Sequence, residues 1–297
     1  MAKVEVTVEE KKVLSLSDEG FHRIAYREWN GNTDLPVVLC VHGLTRLSHD
    51  FDPLAQALSS KYRVVCPDLP GRGNSSWLRK QRNYNFLQYC ADIGAVIARI
   101  NAPEIHFVGT SLGGLIGMTL ASMHRSPIKS LIMNDCGPEP QLSEMRKLGR
   151  YIGKAPDFHS LREARHYIQD TYTGFGELTK EQWKTMTAYS TRQNEDVISM
   201  HYDPNLGDAF RSSYSYYGYN LWKYWRRIDC PTFIVRGELS TFLNEATLEK
   251  MLTRGTDVQY VTIANTGHAP LFWAEDEIKT LKKFIDSVED GTHIPPE

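Results

Sequence analysis

Four groups in this sequence stand where nucleophilic chemistry could be assembled: His42-Gly43, Ser111, Asp135 and His268. Ser111 is the centre of Gly109-Thr110-Ser111-Leu112-Gly113, a G-x-S-x-G. That pattern makes a sharp strand-to-helix turn, with small residues letting strand and helix approach and the serine hydroxyl held out at a helix N-terminus. The same pentapeptide could be a plain tight turn. What favours chemistry is its setting. Ile105, Phe107 and Val108 read as a buried strand before it, and Leu112, Leu115, Ile116 and Met118 recur at helical spacing after it. A serine hydroxyl is a poor nucleophile until a base takes its proton, which suits histidine. The histidine in turn needs a carboxylate to fix its tautomer and stabilise the imidazolium. The chain order Ser111, Asp135, His268 is the one expected of an α/β sheet carrying such a nucleophile.

The elements that must position these groups follow from the apolar pattern. Residues 12–17 and 21–29 read as a hairpin across Asp18-Glu19-Gly20. The continuous apolar run at 36–41 is the mark of a strand covered on both faces, and the largely apolar segments at 62–66, 105–108, 128–134, 231–237 and 258–263 read as further strands. Helices are expected over about 50–60, 85–101, 112–123, 243–253 and 274–287. The expected fold class is α/β: an eight-stranded, mostly parallel sheet with helices on both faces. Between 139 and 228 the buried runs stop and charged, aromatic-rich helical patterns replace them. The expected organisation is therefore a core of 1–138 and 229–297 with an inserted helical cap of 139–228 over the C-terminal ends of the strands, where open α/β sheets carry their sites.

Composition narrows the partners. The 297 residues are 41% hydrophobic and 24% charged with a net charge of −2, so neither nucleic acid nor an anionic membrane is an expected partner. The N-terminus alternates like a strand and has no apolar h-region, and no stretch approaches a membrane span. Five widely spaced cysteines, none in C-x-x-C, read as reduced thiols in a cytoplasmic protein. No cofactor is expected, and no His, Cys or carboxylate pair has metal-ligand spacing on a shared helix. Self-association is compatible with all of this.

Taken together, His42-Gly43, Asp68-Leu69-Pro70-Gly71-Arg72-Gly73-Asn74-Ser75, Gly109 to Gly113 and Gly267-His268 resemble the α/β-hydrolase superfamily over essentially the whole length. The branch most resembled is that of serine esterases and meta-cleavage-product hydrolases with a helical cap. The resemblance implies Ser111 as nucleophile, His268 as base, and an oxyanion hole from the backbone N–H groups of Leu44 and Leu112. It implies a small or medium carboxylic ester as substrate, cleaved through an acyl-enzyme. A lactonase, an amidase or a carbon–carbon bond hydrolase would use the same parts. A non-catalytic ligand-binding protein on the same fold is the alternative from another class.

The acid departs from the commonest pattern of the family. The loop Gly237-Glu238-Leu239-Ser240-Thr241-Phe242-Leu243 holds no aspartate. Asp135, after the strand at 128–134, is expected to complete the triad, with Glu238 as the alternative acid. His42 is expected to shape the oxyanion loop, and Asp68 to brace its own rigid loop by local hydrogen bonds. Arg46 is expected either at the substrate or in an ion pair with the cap. Tyr217 and Trp222, from the aromatic cluster of the cap, are expected in the substrate pocket.

Overall fold

The structure, a computed structural model, describes residues 6–216 and 220–296. Ten strands are described: β1 Val8–Ser17, β2 Gly20–Trp29, β3 Val37–Val41, β4 Arg63–Pro67, β5 Ile105–Thr110, β6 Ile128–Asn134, β7 Thr191–Asn194, β8 Val197–Met200, β9 Thr232–Gly237 and β10 Val258–Ile263. The helices are α1 Asp52–Leu58, α2 Phe86–Ile100, α3 Leu112–Ala121, α4 Leu142–Tyr151, α5 Leu161–Thr171, α6 Lys180–Ser190, α7 Asn205–Tyr216, α8 Trp222–Trp225, α9 Glu245–Arg254 and α10 Glu275–Glu289.

Eight strands form one sheet in the order β1-β2-β4-β3-β5-β6-β9-β10. The β1–β2 and β2–β4 pairs are antiparallel, and the pairs from β4 to β10 are parallel. The strand alternation sorts the core into two layers. Val37, Leu39 and Val41 of β3, with Ile105 and Phe107 of β5, pack against Ile93 and Val96 of α2 and Ile116 and Met118 of α3. Val38, Cys40, Val108 and Ile132 face the other way, onto Leu54 and Leu58 of α1 and Leu281, Phe284 and Ile285 of α10. A strand covered on both faces has no polar side to show, which is why β3 is an uninterrupted apolar run and β5 and β6 are largely apolar. Truncating a side chain such as Phe107, which is fully buried, to alanine would cost about 3–5 kcal/mol.

Local signals set the helix ends. Asn85 caps α2 by accepting from the Gln88 N–H, and Asn101 closes it in the left-handed region. Thr179 and Gln182 form a reciprocal capping box on α6. Between β6 and β9 run α4 to α8 together with β7 and β8, which pair as a two-stranded antiparallel ribbon. That ribbon differs from the all-helical expectation for this stretch. Its strands, Thr-Arg-Gln-Asn and Val-Ile-Ser-Met, are four residues each and only partly buried, so neither shows a core run. Among the described residues no helix is long and apolar enough to cross a membrane.

Candidate active site

The turn after β5 holds Ser111 at φ 52°, ψ −113°, a strained geometry for a non-glycine residue. Two glycines make it possible. A Cβ on Gly113 would run into the Val41 carbonyl at the end of β3, and one on Gly109 into the backbone of Gly113 and Gly114. With both absent, α3 starts directly behind Ser111, and the Ser111 N–H is held by the Asn134 carbonyl at 2.9 Å.

β6 ends one residue before Asp135, itself at φ 53°. Its N–H donates to the Val235 carbonyl (2.7 Å), and its carboxylate accepts from the Gly237 N–H (3.1 Å) and the Ser240 hydroxyl. The remaining reach is toward His268 on the loop after β10. His268 Nδ1 lies 2.7 Å from Asp135 Oδ2, and Nε2 lies 2.9 Å from Ser111 Oγ. Asp135 is fully buried, so its charge acts where water does not screen it. With Nδ1–H donating to the carboxylate, Nε2 is left to accept the serine proton. Phe242 stacks on the imidazole at 4.0 Å between ring centres and fixes its plane.

The loop after β3 is ordered by His42. Its Nε2 accepts from the Leu69 N–H (2.9 Å), so Nδ1 carries the proton and donates to the Gly43 carbonyl (2.6 Å). Burial holds this imidazole neutral, with a pKa lowered to about 3. Because the Gly43–Leu44 peptide is planar and trans, pinning its carbonyl aims the Leu44 N–H the opposite way. Leu112 is the first residue of α3, so its N–H has no partner within the helix. Leu44 and Leu112 both line the cavity beside Ser111.

Two cavities meet at Ser111 and His268. The first, about 800 Å³, is lined by Leu115, Met145, Leu206 and Phe210 among others. The second, about 1170 Å³, is lined by Thr45, Arg46, Thr173, Thr241 and Asn265. Leu44, Leu148 and Phe242 border both.

The other residues singled out from the sequence fall as follows. Arg46 lines the second cavity but is buried in an ion pair, Nε and Nη2 donating to both carboxylate oxygens of Asp50. It also donates to Ser190 and Tyr189 of α6 and lies over the Tyr172 and Phe175 rings, so it ties the loop after β3 to the segment above it. Glu238 is exposed and accepts from the Asn265 N–H, with no bond to His268. Asp68 accepts from the Ser48 and Asn74 N–H groups and braces its loop. Trp222 lines neither cavity; its indole donates to Glu139 and Arg254 lies over its ring. Tyr217 lies outside the described residues. Cys136 borders the first cavity, but burial and the Asp135 charge push its thiol well up, away from the nucleophilic thiolate. Among the described residues no three histidines, cysteines or carboxylates converge as a metal site needs. The sequence reading did not find Ser240 and Phe242, which hold Asp135 and His268; serine and phenylalanine in a loop carry no spacing that marks them.

Comparison with known proteins agrees with this fold. Residues 36–275 match the family described as alpha/beta hydrolase fold. A 3-hydroxybutyrate-oligomer hydrolase of Cupriavidus necator is 39% identical over 281 residues, 92% of this chain and 96% of its own. An alpha/beta hydrolase from Novosphingobium aromaticivorans superposes with a TM-score of 0.84 at 28% identity, covering 96% of this chain and 99% of its own. The E-2-(acetamidomethylene)succinate hydrolase shares the fold at a TM-score of 0.80 and 21% identity, over 94% of this chain and the whole of the other. A match over most of the chain, a full-length relative and a common sheet lead to one assignment: the chain belongs to the α/β-hydrolase family.

Proposed function

We propose that this protein is a serine esterase working through an acyl-enzyme, with Ser111 as nucleophile, His268 as general base and acid, and Asp135 as the orienting carboxylate. The observation that carries the reading is the unbroken hydrogen-bond series from Ser111 Oγ through His268 to Asp135 at the junction of two cavities. His268 Nε2 takes the Ser111 proton as Oγ bonds to the ester carbon, and the carbonyl electron pair moves onto oxygen. The Leu44 and Leu112 amides receive that oxyanion. The tetrahedral species collapses, the bond to the leaving oxygen breaks, and the imidazolium returns the proton to the departing alcohol. Water then repeats the sequence on the acyl-enzyme and releases the acid.

The segment of 139–228 acts in this reading as a cap that sets substrate size, since α4 and α7 supply Met145, Leu206 and Phe210 to the first cavity. The substrate class follows from the two cavities and the relative from Cupriavidus. An apolar arm and a mixed arm, which sets Thr173 and Asn265 among apolar side chains, suit an ester that carries a polar group on one side of the scissile bond. Short oligomers of 3-hydroxybutyrate are such esters. Five unpaired cysteines fit a reducing, cytoplasmic setting.

The test is a fluorophosphonate label followed by a substrate panel. Ser111 is expected to be the labelled residue. Hydroxybutyrate dimers and trimers, p-nitrophenyl esters of increasing acyl length and simple lactones are then compared by kcat/KM. An unlabelled protein that hydrolyses none of them would overturn the reading.

A further inference from the structure

Arg72 is fully buried in the loop after β4, and its surroundings are not those of a structural arginine. Nε donates to the Leu44 carbonyl at 2.8 Å, and Nη1 donates to the Pro70 carbonyl (2.6 Å) and the Tyr89 hydroxyl (3.0 Å). Nη2 is buried without a hydrogen-bond partner. The guanidinium lies over the Tyr89 ring, 4.9 Å from its centre. Every partner is neutral. The carboxylates of the adjoining loops are engaged elsewhere: Asp68 by the Ser48 and Asn74 N–H groups, Asp203 by the Tyr84 hydroxyl and the Asn205 N–H. Among the described residues, none forms an ion pair with Arg72. An arginine keeps its charge in such a place, and an uncompensated buried cation is unfavourable.

The compensation arises during the reaction. Leu44 is bonded to Arg72 through its carbonyl, and its N–H is one of the two amides assigned to the oxyanion. We propose that Arg72 is a positioning residue for that oxyanion, holding Leu44 in place and supplying a fixed positive field that finds its counter-charge only when the tetrahedral anion forms. An interaction stronger in the transition state than in the ground state raises kcat and leaves KM nearly unchanged. In a water-excluded loop a full charge acts over more than one bond length. The assignment rests on the serine-esterase reading.

The experiment compares Arg72→Met and Arg72→Lys with wild type for kcat, for KM, and for inhibition by a trifluoromethyl ketone, which forms an anionic hemiketal on an activated serine. Arg72→Met is expected to lose roughly 10–100-fold in kcat, less than the loss of a direct oxyanion donor. KM should move less than about threefold, and ketone affinity should fall by the same factor as kcat. Arg72→Lys should recover most of both. Should Arg72→Met not fold, Arg72→Gln replaces it, keeping a donor without the charge and with the same expected losses. The proposal is overturned if folded Arg72→Met or Arg72→Gln keeps kcat and ketone affinity, or if Arg72→Lys is no better than the neutral variant. Fluorophosphonate labelling of wild type separates the two readings: no label at Ser111 would count against the esterase mechanism itself.

Discussion

The two cavities that meet at Ser111 differ in what they offer an ester. The first is walled by Leu115, Met145, Leu206 and Phe210, side chains that reward methylene groups by burial alone. The second adds the Thr173 hydroxyl and the Asn265 amide to a lining that includes Ile152, Phe175 and Leu239, while the Thr45 and Thr241 hydroxyls are engaged with Tyr172 and Glu144. An oxygen atom placed in the second replaces water at little cost, whereas in the first it would be desolvated without a partner. The difference teaches that selection rests on the polarity of each half of the substrate as much as on its length. Arg46 adds no free charge to the second arm. Burial alone would lower its pKa, but Asp50, clamped on two of its nitrogens, raises it, and the pair presents a dipole.

Variants at the shared residues should silence both arms together. Ser111→Ala is expected to reduce kcat by up to about 10⁶-fold on alkyl and hydroxyacid esters alike, measured beside loss of fluorophosphonate labelling. A residual activity kept on one class alone would mean that the arms do not share a nucleophile. Asp135→Asn should follow with about 10⁴-fold, because the amide favours the wrong tautomer of His268. Glu238→Gln, at the surface, should stay within about threefold; a crippled Glu238→Gln beside a healthy Asp135→Asn would move the acid to the loop after β9.

Variants in one arm should then separate the classes. Met145→Ala enlarges the apolar arm and is expected to raise kcat/KM for esters longer by one or two methylenes by about 10-fold. Thr173→Val keeps the volume of the mixed arm and removes a hydroxyl, so hydroxyacid esters should lose several-fold while plain alkyl esters do not. Equal responses of both classes to either change would erase the distinction between the arms.

The smallest effect concerns the loop from which both arms begin. His42 is neutral in the folded state at a pKa of about 3 and titrates near 6.5 when unfolded, so its contribution is complete above 6.5 and is lost as pH falls. Between pH 7 and pH 6 the unfolding free energy should drop by on the order of 1 kcal/mol from this group, and further toward pH 3. His42→Gln should flatten that slope in denaturant titrations; an unchanged slope would mean that the imidazole is charged in place.

Much of the layout was legible in the sequence because burial leaves a trace in residue type. The run at 36–41 could only be a strand covered on both faces, the segments at 105–108 and 231–237 read as further strands, and they lie in β3, β5 and β9. Ser111, Asp135 and His268 were legible because each follows the C-terminal end of a strand, directly or on the loop beyond it, and sheet topology brings those ends together. The acid could be ranked over Glu238 but not fixed, since the bonds that hold Asp135 come from Gly237 and Ser240 on a neighbouring strand's loop. What escaped was set by tertiary contact alone. Trp222 read as a pocket aromatic, yet it is buried against Glu139 and Arg254, because an aromatic residue serves core and pocket equally well. Arg72 looked like part of a turn, and only its burial and neutral partners single it out.

The segment over the site is stitched to the core on two sides. The Gly73 N–H donates to the His201 carbonyl and the Asp203 N–H to the Gly71 carbonyl, while the Gly267 N–H beside His268 donates to the Gly174 carbonyl. A covering fastened at both edges must break main-chain hydrogen bonds before it can swing clear. In the proposed esterase reading, a substrate would have to pass between those seams to reach Ser111, so its cross-section would be selected as well as its chemistry.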